Sequence, residues 1–170
     1  GDIVVLQNEV NELAYIMEAA HAQGLRIAFN PSPIGPAIEA CPLQYVSWFI
    51  LNEIEGKALT GKADAREILA AMAALYPHAA VVLTVGKDGA LYKDKQQILR
   101  HGIYDVPVVD TTAAGDTFTG YFISLTAAGY PPAEVLRLAS VASSIAVSRP
   151  GASVSIPTLA EVKESVLKPV

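Results

Sequence analysis

Val106-Pro-Val-Val-Asp-Thr-Thr-Ala-Ala-Gly-Asp116 reads as a strand end that turns, through small residues, into the first turn of a helix. Ala113, Ala114 and Gly115 let backbone come close to a ligand, and the first N–H groups of a helix lack intrahelical partners. Together with the positive end of the helix dipole they form an anion site. Asp116 falls in that first turn, where the dipole favours an ionised carboxylate. A carboxylate beside an anion cradle suits transfer of a phosphoryl group to a hydroxyl: one takes the proton, the other stabilises the charge. An Asp near a helix start is also common in helices that do no chemistry.

Outward from this run, strands and helices alternate. Ile3–Leu6, Arg26–Phe29, Tyr45–Leu51 and Ala80–Val85 have the short apolar composition of buried strands; Gly86–Gly89 turns the last of them back into Ala90–Lys93 as a hairpin, and a further strand spans about Gln97–Arg100. Helices are expected over Val10–Gln23, from Asn52 to Gly61, from Asp64 to about Leu75, from the Asp110–Asp116 run to about Ala128, over Glu134–Val147 and over Leu159–Leu167. Val106–Val109 leads into the central run as a strand, and Arg149–Ser155 is a loop. This alternation predicts a single α/β domain over residues 1–170, with a mainly parallel sheet and helices on both faces. Ligands then belong at the carboxyl ends of the strands, where the loops at 52–55, 84–89 and 110–116 are richest in unusual residues.

Composition narrows the classes. The chain has 170 residues, 52% of them hydrophobic, and a net charge of −5; its mean hydropathy is +0.36. No Lys/Arg stripe marks a nucleic-acid partner. No apolar run approaches the ~20 residues of a membrane span, and the start has no secretory-signal pattern. Cys41 is the lone cysteine, so a reducing cytoplasm is the expected compartment. His21, His78 and His101 lack metal-ligand spacing, and Trp48 reads as core.

The run Asp110–Asp116 resembles the C-terminal signature of the ribokinase-like (PfkB) carbohydrate kinases, usually Asp-Thr-Thr-Gly-Ala-Gly-Asp. Ala113 stands where most members have Gly, a change that ribokinases themselves often carry. By that resemblance Asp116 is the catalytic base and contacts the substrate, and the amides of Ala113, Ala114, Gly115 and Asp116 form an anion hole. Two further motifs follow the family order. Thr84-Val-Gly-Lys-Asp-Gly89 resembles the loop that lies along the ATP phosphates and ribose, which implies Thr84, Gly86, Lys87, Asp88 and Gly89 as nucleotide contacts. Read on residues alone it is a hairpin turn with two glycines. Asn52-Glu-Ile-Glu55 matches the family's Asn-x-x-Glu, which implies that Asn52 and Glu55 act on Mg²⁺ through water, with Asn52 also near the nucleotide. Its structural alternative is an N-cap Asn answered by a Glu three residues on.

The segment Ile145–Ser155 resembles the part of ribokinases that holds a monovalent cation, usually K⁺. Carried across, the ligands fall on Asp110, Thr112, Ala146, Arg149, Gly151 and Ser155. Ser140 aligns with a nucleotide-contacting position, and Glu9 with a glutamate that helps to bind the sugar. Gly56-Lys-Ala-Leu-Thr-Gly-Lys62 has phosphate-loop spacing, but Ala63 replaces the required Ser or Thr and no strand precedes it directly, so it is rejected.

The resemblance runs from Gln7 to about Pro157 and covers about half of a complete family member. It implies a ribokinase-like three-layer α/β/α fold, here its C-terminal part, without the N-terminal strands, the sugar-gripping motif and the small β lid. The implied activity is ATP-dependent phosphorylation of a primary alcohol of a ribokinase-type sugar. Kinases of nucleosides, fructose phosphates or 2-keto-3-deoxygluconate share the fold, and a non-catalytic nucleotide-binding module is the alternative from another class. A homodimer is expected for a full-length member, since the lid often forms its interface, and the 170 residues alone are expected to bind nucleotide but to phosphorylate sugar poorly.

Overall fold

In the computed structural model, which describes all of residues 1–170, regular elements alternate as the sequence predicts. The strands are β1 (Ile3–Gln7), β2 (Arg26–Asn30), β3 (Val46–Asn52), β4 (Ala80–Thr84), β5 (Ala90–Lys93) and β6 (Ile98–His101). The helices are α1 (Leu13–Ala22), α2 (Glu53–Thr60), α3 (Ala65–Leu75), α4 (Ala114–Ala127), α5 (Pro132–Val147) and α6 (Leu159–Glu164). One six-stranded sheet runs in the order β1-β2-β3-β4-β5-β6. The first four strands pair in parallel. The connections β4–β5 and β5–β6 are too short for the crossover that parallel neighbours need, so they make the hairpins. The Asp94 carboxylate closes the second one, accepting from the N–H groups of Gln96 and Gln97 at 2.8 Å each.

The chain divides into two compact units: Gly1–Gly86 with Leu91–Leu99, and Lys87–Ala90 with Arg100–Val170. The first owes its order to one apolar core, in which Met17 of α1, Phe29, Phe49, Leu83 and, from α3, Ile68 and Met72 are all fully buried. Phe49 meets Phe29 edge-on at 6.4 Å and Tyr76 at 4.7 Å. Truncating such a side chain to Ala costs roughly 3–5 kcal/mol, because transfer and cavity terms add. In the second unit α4 packs along α5, and Phe118 and Phe122 of the first and Ala139 and Ala142 of the second are buried.

Local signals set the helix ends. Asn52 caps α2 and Gly61 ends it at φ 71°, a backbone conformation that costs other residues about 1 kcal/mol. Asp64 caps α3 by accepting from the N–H groups of Arg66 and Glu67. Gly56, the first glycine of the rejected phosphate-loop pattern, lies inside α2 and is buried. A Cβ there would sit 2.5 Å from Ile68 Cγ2 and 3.1 Å from Leu51 Cδ1. Gly56→Ala is therefore expected to lower stability by about 1–2 kcal/mol, since overpacking outweighs the gain in helix propensity. Denaturant unfolding checks this; a stabilised variant would contradict it.

Four boundaries differ from the sequence reading. Helix α1 starts at Leu13, not Val10, because Glu12 takes a left-handed conformation (φ 59°) and Asn8 is tied sideways to Ser32 and Pro33. Val106–Val109 is not a strand: Pro107 has no N–H, and the N–H groups of Val109 and Asp110 both donate to Val147 O at the end of α5. Helix α5 begins two residues before Glu134, at Pro132, whose ring is pre-set for a first helical turn. Helix α6 stops at Glu164, short of Leu167, because Ser165 turns to extended backbone and residues 168–170 run beside 103–105.

Candidate active site

In the first unit, the last residues of four parallel strands are polar: Gln7, Asn30, Asn52 and Thr84. Gln7 pairs with Asn30 and Asn52 with Thr84 in register. Parallel strands offer their carboxyl ends to ligands, so this row is where chemistry is expected. Thr84 Oγ1 leans back to Leu51 O at 3.4 Å. Glu9 is exposed in the turn after β1, beside Asn8, whose amide donates to Pro33 O at 2.6 Å. Asn30, which the sequence reading passed over, accepts from Ser32 N–H and shapes the same loop.

Asn52 and Glu55 come together as a complete capping box. Asn52 Oδ1 accepts from Glu55 N at 3.0 Å, and Glu55 Oε2 accepts from Asn52 N at 2.9 Å. The Asn52 amide also donates to Glu55 Oε1 at 3.1 Å. Glu55 is only 5% exposed. With both oxygens engaged and the residue buried, a Mg²⁺ ion would meet this pair through its water shell and not by direct ligation. No group of three or more His, Cys, Asp or Glu side chains is placed to hold a metal. His21 stacks on Tyr45 at 3.7 Å, and the exposed His78 lies 3.4 Å from Lys95 Nζ. Trp48 is half-buried and Arg26 lies over its ring at 5.1 Å, so it is less enclosed than a core residue. Cys41 is buried, and burial raises its thiol pKa.

The glycine turn begins with Gly86 at φ 53°. In the second unit Lys87 and Asp88 are exposed on it, while Gly89 is buried at φ 90°. A Cβ on Gly89 would lie 2.0 Å from His101 O and 2.8 Å from Gly102 Cα. Only glycine fits there, for reasons of both conformation and space.

Asp110 organises the approach to α4. Its Oδ1 accepts from Thr112 N at 2.9 Å and from Thr112 Oγ1 at 2.6 Å, while Oδ2 accepts from Gly151 N at 3.0 Å. These bonds, the Thr112 hydroxyl first, hold its pKa below the usual carboxylate value. Asp110, Thr112 and Gly151 are thus in direct contact. Arg149 and Ala146 meet through an N–H to carbonyl bond of 3.1 Å. The Arg149 side chain instead pairs with Glu161 at 2.8 Å. Ser155 is buried and donates to Ala152 O at 2.7 Å. Glu161 also completes a second capping box with Thr158, and those contacts lower its pKa to about 2. The helix start at Leu159 agrees with the sequence reading, and Thr158-x-x-Glu161 is the capping box that sets it.

Helix α4 opens at Ala114, which puts Asp116 in its first turn, exposed together with Gly115. A Cβ on Gly115 would meet nothing within 4 Å, so the turn is open on that side. Ala113 is buried, and the Ala114 N–H is engaged with Thr111 O at 3.2 Å. Ser143 of α5, also missed from sequence, donates to Ala114 O at 3.0 Å and pins the turn. Ser140 and Ser144 are buried on the same helix. Their spacing of three and four is the signal that this row of α5 faces a neighbour.

Burial first, and then the Arg137 charge, lower the pKa of His101. A lowered His pKa means that the folded state prefers the neutral ring. Its contribution to stability is therefore complete above about pH 6.5 and is lost as pH falls below that value. The melting temperature is expected to drop between pH 7 and 5, and His101→Gln is expected to flatten that drop. An unchanged slope in the variant would contradict the assignment.

The pfkB family carbohydrate kinase profile matches residues 1–159. The ribokinase of Schizosaccharomyces pombe is 32% identical over 174 residues, which cover 96% of this chain and 54% of that protein. The Staphylococcus aureus ribokinase is 35% identical over 171 residues, with 96% and 56% covered. The chain spans about half the length of the curated relatives it matches. Among solved structures, the ribokinase of Thermotoga maritima superposes with a TM-score of 0.80 at 31% identity, over 96% of this chain and 56% of that one. Arabidopsis thaliana ribokinase, solved with ribose and ATP, gives a TM-score of 0.85 at 27% identity, over 95% and 55%. The fold is therefore the ribokinase-like α/β fold that the sequence predicts, and the chain belongs to the PfkB family of carbohydrate kinases.

Proposed function

We propose that these residues are the nucleotide-binding and catalytic portion of an ATP-dependent sugar kinase. The observation that carries this is the first turn of α4, where an exposed carboxylate shares an open helix N-terminus with an exposed glycine. Asp116 accepts the proton of the attacking sugar hydroxyl. The Gly115 and Asp116 positions, with the dipole behind them, stabilise charge on the phosphoryl group in flight. Ala113 and Ala114 set the path of the backbone, and the Ala114 amide takes part only if it leaves Thr111 O.

Thr84, Gly86 and Lys87 to Gly89 line the nucleotide, with Ser140 and Asn52 as further contacts, and Glu9 contributes to the sugar. Mg²⁺, when bound, neutralises phosphate charge; Asn52 and Glu55 orient its water shell. Asp110, Thr112, Ala146, Arg149, Gly151 and Ser155 offer one carboxylate, hydroxyls and carbonyls, a hard-oxygen set that suits K⁺. Asp110 already links two of them, Thr112 and Gly151.

The relatives named ribokinase support a pentose as substrate, with the other sugar kinases of the fold as alternatives. A non-catalytic nucleotide-binding module would not need the base. No helix is long and apolar enough to cross a membrane, and a cytoplasmic, homodimeric full-length enzyme fits the reading. Calorimetric titration with MgATP tests the nucleotide half. Saturable binding supports it, and absence of binding at millimolar ATP overturns it.

A further inference from the structure

Between β6 and α4 the chain makes a short excursion, His101–Asp105, that the sequence gives no reason to notice. Three sets of contacts hold it. Tyr104 is buried, its hydroxyl lies 3.0 Å from His101 Nε2, and the Arg137 guanidinium lies against that hydroxyl. Arg137 is itself fixed by Glu134 through two bonds, of 2.7 and 3.0 Å. Along the other edge, residues 168–170 add an antiparallel bridge, Tyr104 opposite Pro169. In it Asp105 N donates to Lys168 O and Val170 N donates to Ile103 O, both at 3.0 Å. What this clamped excursion touches is Gly89: the His101 carbonyl and Gly102 occupy the volume where a Cβ of residue 89 would lie.

We infer that His101–Asp105 is a brace for the glycine turn, and that Tyr104 and residues 168–170 are positioning elements for a nucleotide's phosphates. The inference rests on the nucleotide reading of that turn. The reasoning is mechanical. Lys87 and Asp88 are exposed, and a turn with two positive-φ glycines has many conformations open to it. A turn that must present its backbone to phosphate binds better when its shape is fixed beforehand. Gly89 is the buried foot of the turn, and the brace is what it stands on. Bracing by backbone bonds from 168–170 also explains why the chain leaves helix α6 early: a continued helix could not offer Lys168 O and Val170 N to residues 103–105.

The test compares Tyr104→Phe, Val170→Pro and Val170→Ala with the unsubstituted chain. Val170→Pro removes the N–H that bonds to Ile103, whereas Val170→Ala keeps it, and the Val170 side chain is 81% exposed. Tyr104→Phe removes one hydroxyl and keeps the ring. Affinities for ATP and for adenosine are measured side by side, with the Gly89 amide resonance as a local report. In Val170→Pro and Tyr104→Phe, ATP is expected to bind about fivefold more weakly while adenosine changes by less than about twofold, the loss of one hydrogen bond acting through the turn. The Gly89 amide moves in Val170→Pro and not in Val170→Ala. Unchanged ATP affinity in both variants, or equal losses of ATP and adenosine, would overturn the brace. If the unsubstituted chain binds no ATP, the nucleotide reading falls. The brace is then overturned only if the Gly89 amide is unmoved in Val170→Pro.

Discussion

Asp116→Asn is expected to slow phosphoryl transfer roughly 10²–10⁴-fold, the usual worth of a positioned general base, while ATP affinity stays within about threefold. The substitution is nearly isosteric, so it isolates proton acceptance from shape. Asp116 lies in the first turn of α4 and is exposed, so the fold loses little: a carboxylate at a helix N-terminus contributes about 0.3–1 kcal/mol. Steady-state rates and ATP titration in the longest natural polypeptide that carries these residues separate the two effects. A variant that keeps its rate would remove Asp116 from the chemistry. One that loses rate and ATP affinity together would make it a binding residue instead.

Gly89→Ala is expected to cost roughly 3 kcal/mol or more of stability, or to abolish ATP binding by remaking the turn. Two penalties coincide. At φ 90° a side chain is strained in any surroundings, and here the Cβ would lie 2.0 Å from the backbone oxygen of His101. That oxygen cannot swing aside as a flexible side chain could, because the excursion is held by Tyr104 and by residues 168–170. Gly86→Ala is the informative partner: its φ is 53°, but a Cβ would meet nothing within 4 Å. It should cost only the conformational term, about 1 kcal/mol. Thermal unfolding of both variants checks the difference; equal losses would mean that the contact with His101 has no mechanical role.

Much of the first unit was legible because its signals are local. Short apolar runs become β1 to β4, Asn52 and Asp64 start helices, and Gly61 ends one. The Asp110–Asp116 run stands out for a second reason, its resemblance to a family signature; on its residues alone it reads as an Asp near a helix start, which helices without chemistry also have. The errors arose where distant chain decides. Val106–Val109 has strand composition, yet the N–H groups of Val109 and the following Asp110 are drawn to Val147 O at the end of α5. The tail after Glu164 has helical residues, but three of its last positions are claimed by 103–105. Neither partner can be read from the segment itself. Asn52 and Glu55 show a different limit, because the same two residues form a capping box and also match the Asn-x-x-Glu pattern that the resemblance assigns to Mg²⁺. Geometry resolves that pair only in part, by taking both Glu55 oxygens for the cap.

The most direct measurement is phosphorus NMR of ribose mixed with ATP, Mg²⁺ and K⁺ and the natural polypeptide containing these residues, with Asp116→Asn alongside. The account predicts growth of a sugar monophosphate signal as the γ-phosphate of ATP disappears, and its loss in the variant. ATP consumption without a sugar phosphate, whether ribose or another sugar alcohol is offered, or equal transfer by Asp116→Asn, would contradict it.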